Sequence, residues 1–212
     1  MTPLQNALST TQPTRSLDEL ILVVKRSTLL ATQDFQGFLP CNNFTTYEQL
    51  ITQNQEFIAR SQAEQDPRYK QIIPYLVFTH NGRYFLMQRK STASEQRLKN
   101  KLSLGIGGHI RQEDITNSSL VAWASREFAE EINYNGSYTT QALGIINDDS
   151  NDVGKVHIGF VFLLTGNSNA ISIRSELKSG TLVPLEECIN QLEAFETWSQ
   201  LVITALQKGI NE

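Results

Sequence analysis

Asn81-Gly82 stands between two runs rich in β-forming residues, QIIPYLVFTH (71–80) and RYFLMQRK (83–90). A two-residue connection of this kind needs positive φ at both positions. Asn and Gly tolerate that and most residues resist it, so the pair specifies an antiparallel hairpin. A chain that turns back on itself this way is not built as a doubly wound parallel sheet. Its length of 212 residues fits one domain, or one domain with an appendage.

Other segments extend this reading. DELILVVKR (18–26) predicts a buried strand. TTYEQLITQNQEFIARSQ (45–62) predicts a helix, with Tyr47, Leu50, Ile51, Phe57 and Ile58 on its apolar side. KLSLGIGGHI (101–110) reads as a strand ending in Gly107-Gly108, followed by the polar stretch RQEDITN. An amphipathic helix is expected over about 118–132, with Leu120, Val121, Ala124, Phe128 and Ile132 as its stripe and Asn117 or Ser118 as its N-cap. Strands are expected near 140–147, 155–164, 170–174 and 180–184, and the chain closes in one or two helices. Hairpins with helices packed on them define an α+β sandwich with a mixed sheet.

The helix over 118–132 carries the chemistry. In REFAEE (126–131) the carboxylates Glu127, Glu130 and Glu131 fall at i, i+3 and i+4, on one face within one turn. Three like charges so close destabilise a helix unless a cation stands among them. That cation could be solvent sodium, Arg126 in an i,i+4 pair with Glu130, or a bound divalent metal.

A strand, Gly-Gly, a loop and then R-E-x-x-E-E on a helix resembles the signature of the Nudix hydrolases. Gly108 matches its opening glycine. Asp114 stands five residues on where the family has Glu, and Arg126, Glu127, Phe128, Glu130, Glu131 and Tyr134 follow in order. Eleven residues separate Asp114 from Arg126, four more than in the signature. Asn133 replaces the glycine that ends the family's helix, and is expected in the left-handed conformation there. The wider context, including KVHIGFVF (155–162), is similar to a little-characterised bacterial subgroup described as phosphoesterases.

The resemblance implies an α/β/α sandwich over 70–212. The polar residues 1–16 read as a loose tail, and 17–69, outside the signature, as an N-terminal α/β extension. The resemblance also implies Mg²⁺- or Mn²⁺-dependent cleavage of a nucleoside diphosphate linked to another group. The metal would fall to Glu127, Glu130, Glu131 and the carbonyl of Gly107, with Arg126 orienting a glutamate. A further carboxylate serves such enzymes as base. Glu176 is the candidate, with Asp148, Asp149 and Asp152 of NDDSND as competitors in what also reads as a turn. Arg89, Arg97, Lys99 and His109 are candidates for holding phosphate, and His157 reads as a core or rim histidine.

Two other functions compete. One is a Nudix-fold binding or regulatory module, to which Asp114 and the longer loop lend weight. The other is an isoprenyl-diphosphate isomerase, which needs a reactive cysteine that neither Cys41 nor Cys188 supplies beside a signature element. The extension at 17–69 could enlarge the sheet, shape the substrate pocket or make a homodimer contact. A net charge of −4 argues against a nucleic-acid-coating protein. No apolar run approaches the ~20 residues that span a membrane. Two distant cysteines without CxxC spacing suit reduced thiols in a cytoplasmic protein.

Overall fold

A computed structural model of the chain describes residues 18–31, 33–42, 44–89, 101–115, 119–174 and 178–210. The first elements are β1 (Leu20–Lys25), α1 (Arg26–Leu29), β2 (Gly37–Pro40), α2 (Thr45–Asn54), β3 (Glu56–Ala59) and α3 (Arg60–Ala63). β4 (Tyr69–His80) and β5 (Arg83–Arg89) form the hairpin, with positive φ at Asn81 (48°) and Gly82 (72°) as their turn requires. Short strands β6 (Leu102–Ser103) and β7 (Gly105–Gly107) lead through a 3-10 turn at Gln112–Asp114 to α4 (Leu120–Glu131). After α4 come β8 (Ile132–Tyr134), β9 (Tyr138–Asn147), α5 (Asp152–Val156) and β10 (His157–Gly166). The last elements are β11 (Ile171–Ile173), β12 (Lys178–Pro184), α6 (Leu185–Asn190) and α7 (Thr197–Gln207).

The main sheet runs β12-β5-β4-β10-β9-β2 and is mixed: β4 and β10 are parallel, and their neighbours are antiparallel. One edge of β4 is taken by β10. The other is shared in succession by β1, β7 and β5. Both central strands read as nearly continuous apolar runs because both of their faces are covered. From β10, Ile158, Phe160, Phe162 and Leu164 point into one core with Trp123, Ala124 and Phe128 of α4. Val161 and Leu163 point into the other, with Cys188 of α6 and Val202 and Ile203 of α7. The result is the expected α/β/α sandwich.

Close packing explains two details that position the site. A Cβ on Gly105 would fall 1.9 Å from the Tyr75 ring, so β7 can cross that tyrosine only as glycine. The Tyr75 hydroxyl then donates to Glu196, which also caps α7 by accepting from the backbone of Trp198 and Ser199. At the start of α4, Glu48 of α2 accepts from the Leu120 N–H at 3.0 Å. That charge-assisted bond satisfies one of the orphan donors of the helix terminus. The N-cap is Ser119, and the expected caps Asn117 and Ser118 lie outside the described residues.

Three expectations fail. Val121, read as part of the α4 stripe, is 43% exposed, because it lies one residue off the face that Leu120, Ala124 and Phe128 bury. The helix read over 45–62 ends at Asn54; Gln55 is extended, and Phe57 and Ile58 belong to β3, paired with β1. Their apolar positions fit helical and strand spacing alike, and pairing with β1 decides between them. Asn133 does not end a helix in the left-handed region. α4 stops at Glu131, and Asn133 lies in β8 opposite Ser172 of β11. Arg174 replaces the missing cap: its N–H bonds the Glu131 carbonyl at 2.9 Å and its Nε the Ile132 carbonyl at 3.0 Å. Asn133→Val should therefore change stability by less than about 0.5 kcal/mol, because an exposed strand position accepts a β-branched side chain. Asn133→Gly should cost about 0.5–1 kcal/mol. Urea denaturation of both variants checks the order, and a greater loss for Val would restore the left-handed cap.

Among the described residues no helix is long and apolar enough to cross a membrane, and Cys188 is a buried free thiol.

Candidate active site

The site is built where β7 leaves the sheet. Gly107 pairs with Tyr75 of β4, and Gly108 then passes directly over the side chain of Glu127. A Cβ on Gly108 would stand 2.0 Å from Glu127 Oε1, so the absence of a side chain at 108 creates the place that this carboxylate occupies. Leu120, Trp123, Ala124 and Phe128 anchor α4 to the sheet. Glu127 lies beside Phe128 on the flank of that stripe and is only 7% exposed. Glu130 and Glu131 follow one turn on, the first exposed and the second half-buried.

Arg126 links this face to the loop before it. Its Nη1 is 2.6 Å from Glu130 Oε1, while Nη2 is 3.2 Å from Asp114 Oδ2 and 3.5 Å from Glu127 Oε2. Nη2 also donates to the His109 carbonyl at 3.3 Å. Asp114 in turn accepts from the backbone N–H and Nε of Arg111, and Arg111 reaches Glu130 at 3.4 Å. The longer spacer thus still delivers Asp114 to Arg126, through the 3-10 turn that it ends. Arg111, which sequence reading passed over, completes the web.

Burial pushes the Glu127 carboxyl above its ordinary value; Arg126 opposes that, and Glu130 and Glu131 add to it. In the folded protein without another cation, this carboxylate is held at a cost. A hard divalent ion would reverse that balance. The available donors are carboxylate oxygens, the kind that Mg²⁺ and Mn²⁺ prefer.

The remaining candidates are scattered. Arg89 ends β5 with its backbone opposite Lys178, and its side chain is outside the described residues, as are Arg97, Lys99 and Glu176 altogether. His109 places Nε2 3.3 Å from Nε2 of His157. Burial, with Arg60 and His157 nearby, pushes His109 down to about 3. Asp148 accepts from Ser150 and Asn151 within its own turn. Asp149 is engaged by Lys70 at 2.7 Å and Arg26 at 2.9 Å, and Asp152 by Lys155 at 3.0 Å. In this segment Asp149 is thus tied down by cations of the protein itself, while Asp148 closes the turn and Asp152 opens α5.

No protein-family model matches the chain. It is 35% identical over 204 residues to Protein YmaB of Bacillus subtilis (strain 168), across 90% of this chain and 98% of that protein. The crystal structure of Tm1382, a candidate Nudix hydrolase, superposes with a TM-score of 0.76 at 31% identity. That match covers 90% of this chain and 99% of Tm1382. The Nudix domain of Shewanella oneidensis NrtR, solved with ADP ribose, shares the fold at 14% identity and a TM-score of 0.53, over 71% of this chain and 98% of that domain. The chain belongs to the Nudix hydrolase family.

Proposed function

We propose that the protein hydrolyses a phosphoanhydride bond in a nucleoside diphosphate linked to another group, using Mg²⁺ or Mn²⁺ held by Glu127, Glu130 and Glu131. The observation that carries this reading is the place of Glu127. A carboxylate is buried beneath a glycine that leaves room for it, with two further carboxylates one turn away. A solvated helix face has no need of such a place. Bound there, the ion would neutralise the diphosphate and make a water acidic enough to attack phosphorus near neutral pH.

The protein's own part is positioning. Arg126 fixes Glu130 by its 2.6 Å ion pair and is itself held by Asp114 and the His109 carbonyl. Gly108 sets how far Glu127 can move, and the carbonyl of Gly107 is a further candidate ligand. Glu176 remains the proposed base, and Arg89, Arg97 and Lys99 the proposed phosphate contacts; His109, read as a fourth, faces His157 instead. Residues 17–69 are read as an extension on the domain at 70–212, supported by the pairing of β1 with β4. Two cysteines far apart in sequence, without CxxC spacing, suit a reducing cytoplasm.

The direct test is a panel of nucleoside-diphosphate-linked compounds, ADP ribose among them, incubated with Mg²⁺ or Mn²⁺ and analysed by mass. Metal binding is checked separately. Millimolar Mg²⁺ should raise the melting temperature of the wild type by mass action, and the rise should vanish in Glu127→Gln/Glu131→Gln. An equal rise in both proteins would place the ion elsewhere.

A further inference from the structure

His109 and His157 come from distant parts of the chain and meet through their Nε2 atoms, 3.3 Å apart. Nδ1 of His157 lies 2.6 Å from the Val153 carbonyl. A carbonyl only accepts, so Nδ1 carries the proton and Nε2 presents a bare lone pair to the space beside His109. This is the arrangement by which a backbone carbonyl orients a metal-binding imidazole. A carboxylate oxygen of Glu64, the residue that caps the C-terminus of α3, and one nitrogen of each imidazole all lie within 4.8 Å of one another.

The spacing is informative. Two nitrogens bound at about 2.0–2.1 Å to one tetrahedral ion stand about 3.3–3.4 Å apart, whereas adjacent octahedral positions at those lengths fall near 3 Å. We propose that Glu64, His109 and His157 form a second cation site, separate from the helix carboxylates and suited to Zn²⁺ or a similar borderline transition-metal ion. Imidazole nitrogen with one carboxylate is a donor set for such ions, as three carboxylates are for Mg²⁺. His157 is 6% exposed and fixed by Val153, whereas Glu64 is exposed and held only by a 3.7 Å contact with Arg60 that a turn toward the pair would give up. The nearby cations have other partners: Arg60 has Glu19 at 3.2 Å, and Lys70 has Asp149 and the Gly154 carbonyl.

Such an ion would join the start of β10, the end of α3 and the loop that follows Gly108. It would brace the loop over Glu127 without being part of the reaction. The competing account is a plain hydrogen bond from His109 to His157, in which Glu64 has no share. The proposal stands apart from the catalytic reading above, and its test needs no substrate.

The full chain, purified without a polyhistidine tag, is titrated with Co²⁺ in excess Mg²⁺. A single equivalent should give the intense visible bands of tetrahedral Co²⁺, and Zn²⁺ should displace it. His109→Asn should abolish the bands. Glu64→Gln, at an exposed position where folding is not at risk, should weaken binding roughly tenfold or more. Glu127→Gln/Glu131→Gln should keep them. No tetrahedral spectrum, or binding unchanged in Glu64→Gln, overturns the proposal, as does loss confined to the helix double mutant. Should His109→Asn fail to fold, Glu64→Gln decides alone.

Discussion

Gly108→Ala should lower kcat about a hundredfold and leave the protein folded. The new methyl needs the place of Glu127 Oε1, 2.0 Å away, so one of the two must move. The carboxylate is the end of a flexible side chain, and outward movement relieves the burial that raises its pKa. The loss of stability should stay under about 1 kcal/mol, or 2–4 °C in melting temperature. Catalysis has no such tolerance, since a displacement of about 1 Å in a positioned group can cost a hundredfold. If Glu127 acts chiefly in the transition state, kcat and kcat/KM should fall together. A Gly108→Ala protein at the wild-type rate would remove Glu127 from the chemistry.

The largest loss of stability is expected from Asp149→Ala. Lys70 is fully buried and bonded through Nζ to Asp149 and the Gly154 carbonyl, while Arg26 and Gln36 bind the other carboxylate oxygen. Removing the carboxylate strands a buried ammonium, at a cost of about 3 kcal/mol, with some relief because Asp149 is a quarter exposed. The pH dependence has a definite sign. Burial already holds Lys70 below its ordinary value, with Asp149 opposing. Without Asp149 its folded-state pKa falls further below the unfolded value, so the variant regains stability as pH rises toward 10 and the ammonium loses its proton. Burial raises the Asp149 carboxyl, but its bonds from Lys70, Gln36 and Arg26 outweigh that and hold it below the usual range. Its contribution is therefore present above about pH 4 and fades in acid. Urea midpoints at neutral and alkaline pH should show the gap narrowing. A neutral-pH loss under about 1 kcal/mol would sink the argument.

What was legible in the sequence was what short-range geometry dictates. Asn81-Gly82 admits one turn, and the stripe through Leu120, Ala124 and Phe128 admits one helix face, with Val121 just off it. That Gly108 covers Glu127 is seen only in three dimensions. Phe57 and Ile58 were misread because four residues cannot distinguish two periods until a partner strand is known. Asn133 was misread because Arg174, far along the chain, caps α4 instead. Asp114 stands where the signature has Glu, across a longer spacer, and its place beside Arg126 depends on a 3-10 turn that no motif announces. The meeting of His109, His157 and Glu64 left no local signal, since it depends on β10 lying parallel to β4.

That same pairing governs how the chain can be made. β4 emerges long before β10, and until Gln71 finds His157 its residues from Ile72 to Phe78 form an unpaired apolar edge. A parallel partner so distant in sequence imposes slow closure. An exposed strand edge meanwhile invites pairing with other chains. Translation that stalls before residue 157 should therefore leave a nascent chain prone to self-association, and rapid refolding at high concentration should lose yield for the same reason.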